Sequence, residues 1–260
     1  MKTFLKLCYQ KLIPERRRIR NRLMFNKLTS VLYRGKNLKC NCCGRSFRRF
    51  KAKGNGIVSR LNAECPYCGS LERTRVLLFY LQNKTPLLTK PVSLLHFAPE
   101  WSLAAIFKKL PLLQYVSADI NPNLARYQMD IMDIPMRPNT VDYIICSHVL
   151  GHIPDERKAI SEMHRVLKPK GIALIMTIID PNNPKTFETA DADTPQKRLQ
   201  YYSEPDLLRL HGGDVQERLI AGGFEKVEII DYRQTLGDEI CRKYALGDGS
   251  RELIFRCEKI

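Results

Sequence analysis

Two pairs of cysteines carry the clearest chemistry in this 260-residue chain. Cys40 and Cys43 close one C-x2-C half and Cys65 and Cys68 another, with 21 residues between the halves and Gly44 or Gly69 directly after each. Two such turns present four thiolates to one ion from two sides, as tetrahedral Zn²⁺ requires. Four sulfurs fill that coordination sphere and leave no place for a catalytic water, so the expected site is structural. The separation is slightly wider than the usual spacing. Two disulfides or four free thiols are the competing readings. The first residues carry no recognisable secretory leader, since Lys6 and Lys11 interrupt the apolar stretch, so a reducing compartment is expected and disulfides are disfavoured. Cys42 is a fifth thiol that could replace Cys40 or Cys43 or stay free. Cys8, Cys146, Cys241 and Cys257 are scattered and read as small apolar residues.

A second group lies further on. Asp119 stands in YVSADINPN, Asp130 in QMDIMDIP, and His148 and His152 in SHVLGH. A carboxylate at the end of a strand suits a ribose diol, because both hydroxyls donate and an ionised acid only accepts. His148 or His152 could serve as a base, although both also read as residues that position a loop; His96, His164 and His211 read as structural or exposed.

The elements that must hold these residues follow from the apolar rhythm. From Val92 onward, strand-like runs (VSLLHFA, YVSADI, VDYIICS, GIALIMTII) alternate with helical patterns (WSLAAIFKKL, DERKAISEMHRVLK). That alternation predicts parallel βαβ units, and the near-continuous apolar runs predict strands buried on both faces. Open sheets of this kind bind ligands beyond the carboxyl ends of their strands, which is where Asp119 and His148 fall. A polar stretch, residues 180–204, predicts a long loop. A helix (DVQERLIAGGF), a strand (KVEIID), a second loop and a last strand (RELIFRCEKI) follow, and the two strands predict an antiparallel pair at one sheet edge. Residues 69–84 predict a helix with Leu71, Val76, Leu77, Tyr80 and Leu81 along one side. The longest apolar run, residues 171–179, is about half of the roughly 20 residues a membrane span needs.

LLHFAPE, YVSADINPN, the long run QMDIMDIPMRPNTVDYIICSHVLGHIPDERKAISEMHRVLKPKGIALI and the closing AGGF together resemble class I S-adenosylmethionine-dependent methyltransferases of the methyltransferase type 11 kind, over residues 92–180. The cysteine knuckles followed by CPYCGSLERTRVLLFYL are similar to a subgroup with an N-terminal zinc-ribbon-like module. The resemblance implies a Rossmann-like α/β fold, mostly parallel with an antiparallel C-terminal edge, and S-adenosylmethionine as cofactor. By position it implies that Asp119 and Ile120 meet the ribose side, and that Asp130 meets the adenine amino group with Ile131 and Met132 beside the ring. The turn His96, Phe97, Ala98, Pro99, Glu100 would pass under the methionine moiety. Cys146, Ser147 and His148 would line the floor next to the sulfonium, His148 being the candidate catalytic residue. The chain departs from the pattern in two places. Ala98 and Glu100 stand where glycines are usual, and Pro99 removes an amide donor; Glu100 could instead bind the cofactor's ammonium group. Gly151 replaces the glutamate of HVLEH.

Charge divides the chain further. Residues 1–90 hold 22 Lys and Arg against 3 acids, and the remaining 170 hold 21 against 24, so the whole net charge of +16 is N-terminal. The organisation expected is a basic amphipathic helical segment over 1–39 (Ile19, Leu23, Leu28, Val31 and Leu32 at helical spacing), a zinc-ribbon-like four-cysteine module over 40–70, a connecting helix over 71–90 and a methyltransferase domain over 91–260. The basic segment could pack on the protein itself, lie on an anionic membrane surface or other polyanion, or bind nucleic acid. Three functions follow. The favoured one is a methyltransferase acting by direct displacement on a small-molecule or glycan-type acceptor, with residues 180–213 (Tyr201, Tyr202, Asp206, Arg209, His211) shaping the acceptor site. The others are an RNA methyltransferase, for which the 40–68 module has few aromatics (Phe47, Phe50, Tyr67), and a non-catalytic cofactor-binding scaffold. The expected location is cytoplasmic, free or at a membrane surface.

Overall fold

The computed structural model describes residues 13–54, 59–249 and 251–260. What the sequence suggests for residues 1–12, Cys8 included, lies outside them. A helix, α1 (Glu15–Thr29), continues into a 3-10 turn (Ser30–Tyr33), followed by two antiparallel pairs: β1 (Arg34–Lys39) with β2 (Ser46–Phe47), and β3 (Lys51–Gly54) with β4 (Ser59–Glu64). Cysteine turns follow β1 and β4. The core of this part is small: Cys40, Phe47, Phe50 and Cys65 are its buried residues, with the two phenylalanine rings edge to face at 5.8 Å. So few apolar side chains do not hold a segment of this size without a staple.

Helix α2 (Glu72–Lys84) leads into the larger layer structure. The strands are β5 (Val92–Phe97), β6 (Leu113–Asp119), β7 (Tyr127–Gln128), β8 (Val141–Ser147), β9 (Leu167–Met176), β10 (Lys226–Ile230) and β11 (Ile254–Glu258), in the order β10-β11-β9-β8-β5-β6-β7. Strands β7, β6, β5, β8 and β9 run parallel, and β11 pairs antiparallel with both β9 and β10. The antiparallel pair is where the sequence places it, with the reversed strand second from the edge. The chain leaves β5 to one side for β6 and later returns on the other for β8, which opens a crevice beyond their carboxyl ends.

Helices cover both faces. On one, α4 (Glu156–Val166) and α6 (Val215–Ala221) pack Ala159, Ile160, Met163 and Leu219 against Leu95, Phe97, Ile144 and Cys146. On the other, α2, α3 (Trp101–Phe107) and α7 (Tyr232–Tyr244) pack Leu77, Leu81, Phe107 and Tyr232 against Leu94, Tyr143, Ile145 and Leu174. Alternate residues of each strand thus enter different cores, the physical origin of the continuous apolar runs. The α2 helix is buried nearly all round, beyond the single stripe read from its periodicity. The stretch read as a second loop holds α7. Its helical rhythm is broken at Gly237, whose φ of 77° interrupts the helix, and Asp231 caps the start by accepting from Arg233 N.

Arg75 ties the two parts together. It is fully buried and donates to the carbonyls of Ala63 and Ser70 on the cysteine side and of Tyr244 and Ala245 at the end of α7. The polar stretch after β9 is also fixed. It contains α5 (Pro195–Tyr202), bridges at Ile179–His211 and Phe187–Leu210, and the buried Arg209, which donates to the carbonyls of Leu150, Ile153 and Pro154. His211 lies between Thr177 Oγ1 and Glu156, 2.8 Å from each, which makes it structural.

Candidate functional site

A cavity of about 550 Å³ opens beyond the carboxyl ends of β5, β6 and β8. Of the residues singled out in the sequence, Phe97, Ala98, Asp119, Ile120, Asp130, Ile131, Met132, His148, His152 and Asp206 line it. That size falls within the roughly 300–1,000 Å³ typical of small-molecule sites. Met129, Val149, Ile153 and Pro154 complete the wall.

The acids are held by their own loops. Asp119 Oδ1 accepts from Asn121 N at 2.8 Å, and Asp130 Oδ1 accepts from Met132 N at 2.8 Å. Each thereby fixes the turn that carries it. Asp119 Oδ2 has no hydrogen-bond partner among the described residues and remains available to a donor in the cavity. Burial pushes the Asp119 carboxyl above its usual range, against the opposing pull of the Asn121 amide. Ile120 is 64% exposed at the rim, an apolar side chain with nothing yet to cover.

Ala98 and His148 follow the ends of β5 and β8 in left-handed backbone conformations, φ 45° and 55°. Each is pinned by a strand-like bond, Ala98 N to Ala118 O at 2.9 Å and His148 N to Met176 O at 2.8 Å. Non-glycine residues there cost about 1–2 kcal/mol each, and such strain collects where a site needs a particular turn. The sequence places Ala98 where glycine is usual, and the conformation is one that glycine adopts freely. His148 Nε2 lies 3.3 Å from Arg251 O. A carbonyl only accepts, so the ring proton sits on Nε2 and Nδ1 keeps its lone pair. Burial and then the charge of Arg73 hold His148 well below the usual histidine range, so the ring is neutral near pH 7. His152 Nδ1 lies 3.1 Å from Asp206 O and 3.7 Å from its carboxylate, so it donates to that residue.

The remaining sequence candidates lie outside the cavity lining. His96 belongs to the opposite face of β5, between Tyr115 Oη and Glu100, and Phe97 rather than His96 faces the cavity because successive strand residues alternate. Cys146 is fully buried within the α4-side core. Pro99 lines a neighbouring cavity. Glu100, half-buried, and Ser147, buried, stand directly beside the two strained turns. Although burial alone would raise it, the Glu100 carboxyl is held below its usual range by the His96 hydrogen bond and the charge of Arg73, whose Nε lies 3.6 Å away. Arg73 Nε, Glu100 Oε1 and Ser147 Oγ are buried and make no hydrogen bond. Arg73 and Glu100 face each other as an ion pair too long for a hydrogen bond, and with the Ser147 hydroxyl they form a charged, hydrogen-bond-poor group that suits a zwitterion such as the amino-acid end of a ligand. Arg73 was not found from sequence; it stands in the polar first turn of α2 (ERTR), where no local signal marks it.

The four cysteines form a separate centre. The sulfurs of Cys40, Cys43, Cys65 and Cys68 all lie within 4.8 Å of one another, Cys40–Cys68 at 3.6 Å and Cys43–Cys65 at 3.9 Å, with no disulfide among the described residues. Four sulfurs about 2.3 Å from a shared Zn²⁺ would be separated by about 3.8 Å, so the donor set fits. The knuckles are built alike: Cys40 N donates to Arg45 O and Gly44 N to Cys40 O, Cys65 N to Ser70 O and Gly69 N to Cys65 O, and both glycines have φ 72°. Cys42 stands outside the four-sulfur group and packs against the α2-side core.

Residues 102–175 match the methyltransferase domain family. A demethylmenaquinone methyltransferase from Staphylococcus carnosus is 40% identical over 62 residues, 24% of this chain and 26% of the relative. A 2-phytyl-1,4-naphtoquinone methyltransferase from Nostoc sp. is 32% identical over 69 residues, 26% of this chain and 30% of the relative. The chain thus spans between a quarter and a third of the length of these curated relatives. An S-adenosylmethionine dependent methyltransferase from Mesorhizobium loti superposes with a TM-score of 0.48 at 13% identity, covering 71% of this chain and 98% of that one.

Proposed function

We propose that the chain is an S-adenosylmethionine-dependent methyltransferase, with the cavity beyond β5, β6 and β8 holding the cofactor. One observation carries the reading. At the topological switch point, the cavity combines a buried acid with a free oxygen (Asp119), a second turn-fixed acid (Asp130) and a neighbouring set of buried polar atoms without hydrogen bonds, and the matched methyltransferase domain runs through this region. Asp119 Oδ2 would accept from the ribose hydroxyls, Asp130 from the adenine amino group, and Ile120, Ile131 and Met132 would cover the ring. Glu100 would take the ammonium and Arg73 the carboxylate of the methionine end. Bound there, S-adenosylmethionine supplies an activated methyl group on a sulfonium.

The protein's part is to align an acceptor with that carbon, which can supply much of the acceleration. His148, neutral with a lone pair on Nδ1, is suited to accept a hydrogen bond from a protic acceptor and hold it in line. Its depressed basicity makes it a poor abstractor of tightly held protons, so the reading favours an acceptor that gives up its proton easily or carries none. Met129, Val149, Ile153 and Pro154 give the acceptor side an apolar wall. That supports a small, largely apolar acceptor, the class to which the naphthoquinone named for the Nostoc relative belongs. The four-cysteine centre is proposed to hold one structural Zn²⁺ that folds the small N-terminal core.

Calorimetric titration with S-adenosylmethionine, followed by incubation of the full chain with methyl-labelled cofactor and fractionated cell extract, tests the reading. Saturable one-to-one binding and label in an organic-soluble small-molecule fraction are expected. Absence of saturable binding overturns the enzyme assignment. Label confined to RNA keeps the enzyme but overturns the acceptor class.

A further inference from the structure

Helix α1 turns its apolar side outward. Met24, Phe25, Leu28, Val31 and Leu32 are 58, 63, 67, 51 and 66% exposed. The side turned to the protein carries Asn26 and Ser30, each 5% exposed, with Ile19 and Leu23 half-buried beside them. Polar contacts attach it: Asn26 Oδ1 accepts from Lys51 Nζ at 2.7 Å, Arg22 pairs with Glu64 at 3.2 Å, and Asn121 Nδ2 donates to Glu15 at 2.8 Å. An ordinary surface helix hides its apolar stripe, whereas here most of the large apolar side chains stand in the open.

Beside the N-terminal half of α1 lies a second cavity, about 830 Å³, walled also by α3 and the loop after β6. Arg17, Arg20, Lys108 and Arg126 line it, and no carboxylate does. None of the four forms an ion pair among the described residues; Arg126 has only the ring of Tyr127, 5.4 Å away. Arg17, Arg20, Met24, Leu28 and Val31 follow at intervals of three and four, so the basic lining and the exposed apolar residues form one continuous stripe along the helix.

Uncompensated cations facing one opening call for anions. A soluble phosphate compound or an RNA would satisfy them but would leave five large apolar side chains in water. An anionic bilayer satisfies both halves of the stripe, with phosphates at the cations and the apolar side in the boundary between headgroups and acyl chains. We infer that α1 and the adjoining basic cavity form a docking surface for an anionic lipid bilayer. Docked this way, the protein is peripheral; no helix of the described residues is long and apolar enough to cross a membrane.

Co-sedimentation of the full chain with phosphatidylcholine vesicles, pure or containing about 30% phosphatidylglycerol, tests this without cofactor or acceptor, so its failure is distinguishable from failure of the enzyme reading. Binding to the anionic vesicles and little to the neutral ones is expected. Phe25→Ser with Leu28→Ser should weaken it at least about tenfold. Arg17→Gln and Arg20→Gln should each weaken it roughly fivefold, with the loss shrinking at high salt. All four positions are exposed, so unchanged thermal unfolding of each variant shows that the fold survives. Equal binding to both vesicle types overturns the inference, as does full binding by the Phe25→Ser/Leu28→Ser variant. A dimer in vesicle-free solution that this variant dissolves also overturns it, as does an RNA oligonucleotide that displaces the vesicles and binds the variant as tightly as the native chain.

Discussion

If Asp119 holds the ribose of the cofactor, its removal should have a size that the structure sets. Oδ1 is committed to the Asn121 amide, and Oδ2 is the oxygen left for the cavity. Hydrogen bonds to a charged group contribute about 1.5–3 kcal/mol each, so losing the acceptor of one or two hydroxyls should cost about 3 kcal/mol. That is roughly 150-fold in Kd. Asp119→Ala also removes the acceptor for Asn121 N and so loosens the turn, whereas Asp119→Asn can keep that bond through its carbonyl oxygen. Calorimetric titration with S-adenosylhomocysteine, a ligand that does not turn over, should show the large loss for Asp119→Ala and a smaller one for Asp119→Asn. The same titration with a ligand lacking the ribose 2′-hydroxyl closes a double-mutant cycle. Coupling of at least about 1 kcal/mol between the carboxylate and that hydroxyl is expected. Burial raises the Asp119 carboxyl, so affinity should fall as pH drops into the carboxylate range, beginning above the ordinary aspartate value, because a protonated acid accepts less well. An Asp119→Ala Kd within threefold of native, or a cycle with no coupling, would refute the placement.

The other predictions concern the staple, the clamp and one buried acid. The native chain should carry one equivalent of zinc by atomic absorption; Cys40→Ser or Cys65→Ser should release it and lower Tm, and Cys42→Ser should leave the content unchanged, a loss there moving the ligand set. Arg75→Met should destabilise by at least about 3 kcal/mol in urea unfolding, because it removes four charge-assisted hydrogen bonds, to the carbonyls of Ala63, Ser70, Tyr244 and Ala245; a change under about 1 kcal/mol would remove the clamp from the account. Burial lifts the Glu252 carboxyl to about 7 from 4.5, so the fold favours its neutral form: that contribution is complete below about 4.5 and lost as pH rises through 7. The shift corresponds to at most about 3 kcal/mol. Glu252→Gln should therefore flatten Tm between pH 5 and 8 and gain most above 7, and parallel native and variant curves would contradict this.

How much of this was legible in the chain depended on how strongly a position is determined by local pattern. The central strands were, because burial on both faces leaves continuous apolar runs that nothing else in a soluble domain needs. The cysteine centre was, because spacing alone brings two thiols of each turn together. Helix α7 was hidden by Gly237, which divides its periodicity in two. The strand alternation that explains why His96 faces away from the cavity while Phe97 lines it was available in the sequence, but only once the phase of β5 relative to its covering helices is known. Arg73 and Arg75 both come from α2, and their tasks are set by segments far away in sequence, the first turn at Glu100 and the end of α7. Composition located the positive charge, yet spacing could not say which side of α1 the protein covers, and Met24, Phe25 and Leu28 are left outside it.

The two departures from the family pattern have different physical meanings. Ala98 keeps the left-handed turn that a glycine would adopt and accepts the strain, so the backbone path is retained while the residue type changes. Gly151 is a change of neighbour. A Cβ at this position would come within 2.7 Å of Leu207 Cδ2, and Leu208 N donates to Gly151 O at 2.8 Å. The segment through Leu207 and Leu208 therefore lies directly on the turn that carries Gly151, and a side chain there would have to displace the end of the Leu207 side chain. The same segment brings Asp206 to the cavity wall and aligns Arg209 with the carbonyls of Leu150, Ile153 and Pro154. The absence of a side chain at 151 and the close approach of the 206–209 segment go together: Leu207 occupies the space beside Gly151, and Asp206 reaches the cavity wall from the same segment.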